Sequence, residues 1–209
     1  MTPITNNISK LVLATGNIGK LREMQALLQG LNIEVLPQSS FNVEECHEPH
    51  CTFIENALAK ARHASFLTGS PALADDSGLC VEALQGAPGV LSARYACETS
   101  EQAKSDAANN AKLLKALENV ENRFAYYYCV MVLVRHANDP QPLISEGSWV
   151  GEILKVPRGT GGFGYDPLFL DVKTEQTAAE LAPVIKNRIS HRGHALNKLL
   201  LKLENIQHG

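Results

Sequence analysis

An α/β fold built on a mixed sheet is predicted by three features of the 209-residue sequence. Short apolar runs alternate with stretches of helical period along its first half. A long aromatic and β-branched segment follows, with a second strand-like run directly after it. A leucine stripe at helical spacing closes the chain.

Taken in order, Leu11-Val12-Leu13-Ala14-Thr15 is too short for a helix and is stopped by Gly16 and Asn17, so it reads as a buried strand. Leu21, Met24, Leu27 and Leu28 recur at helical spacing, with Gly30 as the expected stop. Ile33 to Leu36 is a second strand, ended by Pro37, and Gln38 to Cys51 shows no period. Thr52 and Glu55 form a capping box ahead of an alanine-rich helix, Asn56 to Phe66. Pro71 to Ala74 leads into Asp75-Asp76-Ser77-Gly78, which places those carboxylates at a strand end. Thr99 and Gln102 repeat the capping pattern before Ala103, Ala107, Ala111, Leu114 and Leu117 on one helix face. Phe124 to Arg135 is a strand, and Leu143 to Leu154 continues as strand. The four glycines between Pro157 and Pro167 require a loop, and Leu196, Leu199, Leu200 and Leu203 mark an amphipathic last helix.

Composition narrows the function. Hydrophobic residues make up 44% and charged residues 20%, which suits an ordinary globular chain with a sizeable core. The length allows one large domain or two small lobes sharing a cleft. The formal net charge of -3 disfavours a general nucleic-acid binder, whose affinity rests on a basic surplus. Phosphate recognition must then be local, which favours a free nucleotide over a polymer. No apolar run approaches the roughly 20 residues that cross a bilayer, and Met1 to Lys10 lacks a signal-peptide pattern, so no membrane partner is expected. Five irregularly spaced cysteines read as reduced thiols of a cytoplasmic protein. The segment Cys46 to Cys51 fits no standard zinc spacing.

Four segments carry chemistry. Thr15-Gly16-Asn17-Ile18-Gly19-Lys20 joins a strand to a helix, where free N–H groups and a first-turn cation attract phosphate. It is not a Walker A loop, because Ala14 stands where the first glycine belongs and Leu21 replaces the metal-binding hydroxyl. A metal must therefore be held elsewhere. Asp75 and Asp76 supply hard oxygens suited to Mg²⁺, and a carboxylate beside the ion can deprotonate a water. Glu48 is a further candidate ligand, whereas Glu55 is explained by the helix cap. Thr160-Gly161-Gly162-Phe163-Gly164-Tyr165-Asp166-Pro167 sets a ring between glycines, as needed where backbone approaches a flat ligand on which the ring stacks. Lys186, Ser190, His191 and Arg192 gather cations before the last helix. Singly, the first segment reads equally well as an ordinary strand-to-helix turn, while Asp75-Asp76 and the Lys186 to Arg192 cluster read more readily as a solvated turn and a basic turn. Together they are an inventory for nucleotide chemistry.

The blocks LATGNIGK, FIENALAKARHA, ADDSGL, GAPGVLSARYA, GTGGFGYDPLF and ISHRGHAL, in this order from about Leu11 to Leu200, resemble the inosine triphosphate pyrophosphatase family. Bacterial members are called dITP/XTP pyrophosphatases. The resemblance implies a single family domain over residues 1–209, an elongated two-lobed α/β fold with a long mixed sheet flanked by helices, a cleft between lobes, and a homodimer. It also implies hydrolysis of ITP, dITP or XTP to the monophosphate and pyrophosphate, which clears deaminated purines from the nucleotide pool. On this likeness Thr15 to Lys20 bind the triphosphate, and Asp76 is both catalytic base and metal ligand. Glu48 takes the other metal position, although its neighbours Cys46, His47, Pro49 and His50 depart from the family pattern. Asp75 supports the metal and Ser77 contacts substrate. Phe163 stacks on the base, with Gly164, Tyr165 and Asp166 completing that wall, and Lys186, His191 and Arg192 meet the base and nearby phosphate or sugar. Donors from Arg192 or His191 would favour the 6-carbonyl of hypoxanthine over the amino group of adenine. A related pyrophosphatase acting on pyrimidine or modified nucleotides is the alternative enzyme, and a non-catalytic ITP sensor the alternative class.

Overall fold

β1 (Lys10–Leu13) is an inner strand, hydrogen-bonded in parallel to β2 (Glu34–Pro37) on one side and to β3 (Ala72–Val81) on the other. That position explains its unbroken apolar run, since both of its faces are covered. With β4 (Phe124–Val134), β5 (Leu143–Ile153), β6 (Phe169–Asp171) and β7 (Gln176–Thr177) the sheet has seven strands in the order β2-β1-β3-β4-β5-β6-β7. β5, β6 and β7 pair antiparallel, so the sheet is mixed, as the sequence predicts. The helices are α1 (Ile18–Leu28), α2 (Phe53–Thr68), α3 (Asp106–Ala116), α4 (Pro183–Ile189) and α5 (His191–Gln207). The computed structural model describes residues 8–29, 33–99 and 102–207. Gly30, the expected stop of α1, lies outside the described residues.

The chain divides into two units, one of Met1–Asp76, Cys129–Gly147 and Arg192–Gly209, the other of Ser77–Tyr128 and Ser148–His191. In the first, Leu11 and Leu13 of β1, Met24 and Leu28 of α1, Leu73 of β3, Met131 and Leu133 of β4, and Leu196 and Leu199 of α5 form one apolar cluster. Leu200 and Leu203 pack at its margin, so the leucine stripe of the last helix faces the core. α2 starts as its capping box requires: Thr52 Oγ1 accepts the Glu55 N–H and donates to the Glu55 carboxylate at 2.5 Å. Its alanines Ala57, Ala61 and Ala64 are fully buried, which lets the helix lie close to its neighbours.

The turn after β4 is held by Asp139, whose carboxylate accepts from Arg135 N–H at 2.9 Å, from Arg135 Nε at 2.8 Å and from Gln141 N–H at 2.9 Å. The hydrogen-bonded Arg135 guanidinium holds the Asp139 carboxyl well below the usual carboxylate range. A depressed native pKa means that this stabilisation is complete above the unfolded value, about 4, and is lost as pH falls through the native one. Asp139→Asn should cost about 1–2 kcal/mol at pH 7, the low end for charge-assisted bonds because the Arg135 side chain is 26% exposed. Urea unfolding of both proteins at pH 7 and pH 3 checks it. The gap should shrink at the lower pH, and a gap that widens refutes the assignment.

The second unit packs around Leu79, Val81, Leu113, Leu117, Trp149, Leu168 and Phe169. β5 alternates strictly from Ser145 to Ile153, and Gly151 is required where a Cβ would lie 2.3 Å from the Leu170 carbonyl of β6. Two readings from sequence are corrected here. α3 is capped by Ser105, whose hydroxyl accepts the Ala108 N–H, and not by Thr99; Gln102 Oε1 instead takes the Glu98 N–H, an arrangement that turns the chain before the helix. The buried stripe of this helix is Asn109, Leu113 and Leu117, while Ala103, Ala107 and Ala111 face solvent and Leu114 is half-buried. Alanine is too small to mark a buried face by itself.

Candidate functional site

Asp75 and Asp76 do not end a strand; they stand in the middle of β3, which runs on through Ser77 and Gly78 to Val81. Local turn propensity loses because fixed cations compensate both carboxylates where the strand buries them. Successive strand residues point to opposite faces, so the two neighbours enter different surroundings.

Asp75 is 1% exposed. Its Oδ2 accepts from Lys20 Nζ at 3.0 Å and from Arg192 Nε at 3.4 Å. Burial alone would raise the Asp75 pKa, but Lys20, Arg192 and Lys60 overcome it and hold the group far below the carboxylate range. Arg192 is 3% exposed and also donates to the Glu23 carboxylate of α1. Burial would lower the guanidinium, yet Asp75 and Glu23 hold it firmly charged. Lys20 reaches Asp75 because the strand-to-helix turn delivers it in the first turn of α1. There Asn17 Oδ1 caps the Lys20 N–H at 3.0 Å, Thr15 Oγ1 accepts the Asn17 N–H at 3.2 Å, and Gly16 leaves the turn exposed. The N–H groups of Ile18 and Gly19 open the helix, where no acceptor four residues back exists. Ile18 is 65% exposed, so this helix mouth is open to solvent.

Asp76 is 5% exposed and accepts from Asn56 Nδ2 at 3.2 Å and from Lys60 Nζ at 3.2 Å. The same Lys60 ammonium binds Glu48 Oε1 at 2.7 Å. Two carboxylates from distant segments are thus gathered on one cation. Burial raises the Asp76 pKa, with Lys60 and Lys20 opposing and Glu48 and Asp75 assisting. Burial would lower Lys60, but Asp76, Asp75 and Glu48 together raise it. The loop carrying Glu48 is tied to α2 by Asn56, which accepts the His50 N–H at 3.1 Å and donates to the His50 carbonyl at 3.2 Å. Sequence reasoning missed Asn56 and Lys60. Their signal was there: they lie four residues apart, so they share one face of a helix whose neighbouring positions are alanines.

In the second unit, Ser77 is half-buried on β3. Phe163 is half-buried, and Lys186 Nζ stands 5.0 Å from its ring centroid. Asp166 holds both: it accepts Lys186 Nζ at 2.7 Å and the Phe163 N–H at 2.8 Å. Gly164 adopts φ +63°, open to glycine without strain. Tyr165 is a core side chain, 3% exposed, whose hydroxyl donates to the Ser92 carbonyl at 2.8 Å. Only its backbone is left for a ligand wall. His191 lies with its ring stacked 4.7 Å from that of Tyr127. The predicted residues therefore gather in two sets. Lys20, Glu48, Asp75, Asp76 and Arg192 belong to the first unit, and Ser77, Phe163, Asp166, Lys186 and His191 to the second. Arg192, grouped from sequence with Lys186 and His191, is found with the carboxylates.

Comparison with known proteins gives concordant matches. The family model described as "Ham1 family" matches residues 11–202. A dITP/XTP pyrophosphatase of Burkholderia pseudomallei is 59% identical over 199 residues, 95% of each chain. That of Nitrosomonas europaea is 59% identical over 196 residues, covering 94% of this chain and 95% of the relative. Among solved structures, a HAM1 protein from Coxiella burnetii is 50% identical with a TM-score of 0.85, covering 94% of this chain and 98% of that one.

Proposed function

Since the chain belongs to the Ham1 family, we propose that it hydrolyses ITP, dITP or XTP to the nucleoside monophosphate and pyrophosphate. The observation carrying this reading is the convergence of Glu48 and Asp76 on one ammonium, beside an open helix mouth bearing Lys20. Hard carboxylate oxygens that already share a cation suit Mg²⁺, and Glu48 and Asp76 are the residues to hold it, with Asp75 in support. When bound, the ion supplies charge neutralisation and a more acidic water.

Asp76 takes a proton from the attacking water as its oxygen bonds to the α-phosphorus. The bond from that phosphorus to the bridging oxygen breaks, and pyrophosphate leaves. Lys20 and the N–H groups of the Thr15 to Gly19 turn neutralise the phosphate tail. Ser77 contacts the substrate. Phe163 stacks on the base, and Lys186 and His191 supply donors toward its 6-carbonyl. The Arg192 guanidinium is engaged by Asp75 and Glu23, so its part is to hold Asp75 charged in place. A homodimer in the cytoplasm belongs to the same reading, through the family resemblance and the nucleotide pool on which the enzyme acts.

A panel of ITP, XTP, dITP, ATP, GTP and pyrimidine triphosphates, assayed for pyrophosphate and for single phosphate, tests the reading. Equimolar inosine monophosphate and pyrophosphate are expected from ITP, with loss of turnover in EDTA and recovery on adding Mg²⁺. Release of single phosphate, or preference for pyrimidines, overturns it.

A further inference from the structure

The loop Gly162-Phe163-Gly164 poses a physical problem. Glycines on both sides, at φ +75° and φ +63°, give the backbone access to conformations that leave a ring poorly directed. Asp166 restrains one side through the Phe163 N–H. The other side is held from a different element. Asp106 Oδ2 accepts the Gly164 N–H at 2.7 Å, and Asn110 Nδ2 donates to the Gly164 carbonyl at 3.0 Å. Asp106 and Asn110 are four residues apart on α3, so one helix face grips both polar groups of a single glycine.

This grip has a firm base. Leu113 and Leu117 are fully buried beneath it, and Asn109, 2% exposed, accepts the Ala96 N–H at 2.7 Å and donates to the Ala93 carbonyl at 3.1 Å. Neither Asp106 nor Asn110 is needed to pack that base, since Asp106 is exposed and Asn110 only half-buried. Their side chains are directed to the loop.

We propose that Asp106 and Asn110 of α3 are positioning residues that clamp the Gly164 peptide and so aim the Phe163 ring at the base of the nucleotide. The inference rests on the reading of Phe163 as the stacking ring. It adds a helix to the base-recognising machinery, acting through Gly164 without touching substrate.

The test compares steady-state kinetics on ITP for Phe163→Ala, Asp106→Ala/Asn110→Ala, Asp106→Asn and Ser105→Ala, with Gly164 amide exchange followed by NMR. The double variant should raise KM about 3- to 10-fold with kcat within about twofold, because loss of aim weakens binding of the base more than the chemistry. Its Gly164 amide should exchange at least about tenfold faster. Asp106→Asn keeps an acceptor for the Gly164 N–H and should stay near wild type. Ser105→Ala loosens the same helix start without touching Gly164 and should leave KM unchanged. Phe163→Ala should raise KM more than any of these.

A raised KM in Phe163→Ala with an unchanged KM in the double variant overturns the clamp while sparing the stacking reading. So does unchanged Gly164 exchange, or a Ser105→Ala variant as impaired as the double. An unchanged KM in Phe163→Ala removes the stacking reading and the clamp's role with it.

Discussion

Asp76→Asn should fold normally, bind ITP and release pyrophosphate about 10²- to 10⁴-fold more slowly than wild type. The substitution is nearly isosteric and removes one formal charge. The oxygen that accepts from Lys60 can be kept as the amide oxygen, while the new NH₂ faces the Asn56 Nδ2 donor, which loses its acceptor. Folding should survive, because Lys60 retains Glu48 at 2.7 Å and is not left buried alone. On the proposed mechanism, what disappears is the basic oxygen that accepts the water proton and an anionic partner for a divalent ion. Single-turnover assays with ITP in excess Mg²⁺, set beside thermal unfolding, separate the two effects. Turnover within tenfold of wild type means another group is the base.

Arg192→Ala acts on stability first. Removing the guanidinium takes from Asp75, 1% exposed, one of the cations that offset it beside Lys20, and takes from Glu23 its pairing with Arg192. Breaking a buried pair from one side costs about 3–5 kcal/mol, because the charge left behind is still desolvated. The urea midpoint should fall accordingly, and Arg192→Lys, which keeps the charge but not the fork, should lie between. A midpoint equal to wild type would show that Asp75 does not depend on Arg192. If base reading falls to Lys186 and His191 as proposed, the discrimination between ITP and ATP should move little in the lysine variant.

How much of this was legible in the sequence follows from where local and distant forces agree. β1 and β4 are visible as unbroken apolar or aromatic runs, and β5 and the last helix by their period, because each of these patterns reports burial directly. From sequence β3 ends too early, because Asp-Asp-Ser-Gly favours turns. Strand wins there through Lys20, Arg192, Lys60 and Asn56, which a local window does not see. The start of α3 was misplaced because Thr99 and Ser105 are both sound caps and only packing chooses between them. β6, β7 and α4, of 3, 2 and 7 residues, are too short to show a period. In the candidate site, residue types with obvious chemistry are legible, and Glu48, a weak candidate on spacing alone, gains its metal position through family likeness. Asn56 and Lys60 are not legible as site residues, because inside a capped, alanine-rich helix they look like ordinary polar positions. Arg192 was grouped by its place in sequence next to His191, although consecutive residues at the start of α5 fall in different units.

The pairing of Asp75 with Arg192 spans 117 positions along the chain. Synthesis runs from the amino end, so the ribosome releases the aspartate long before its guanidinium exists. Until the terminal helix emerges, a nascent chain has Lys20 and Lys60 but not Arg192 to offset that acid, and the charge balance around β3 remains incomplete. The first unit is complete only once residues 192–209 have been made, although it holds the beginning of the polypeptide, and a product terminated before Arg192 should be cleaved more readily by protease.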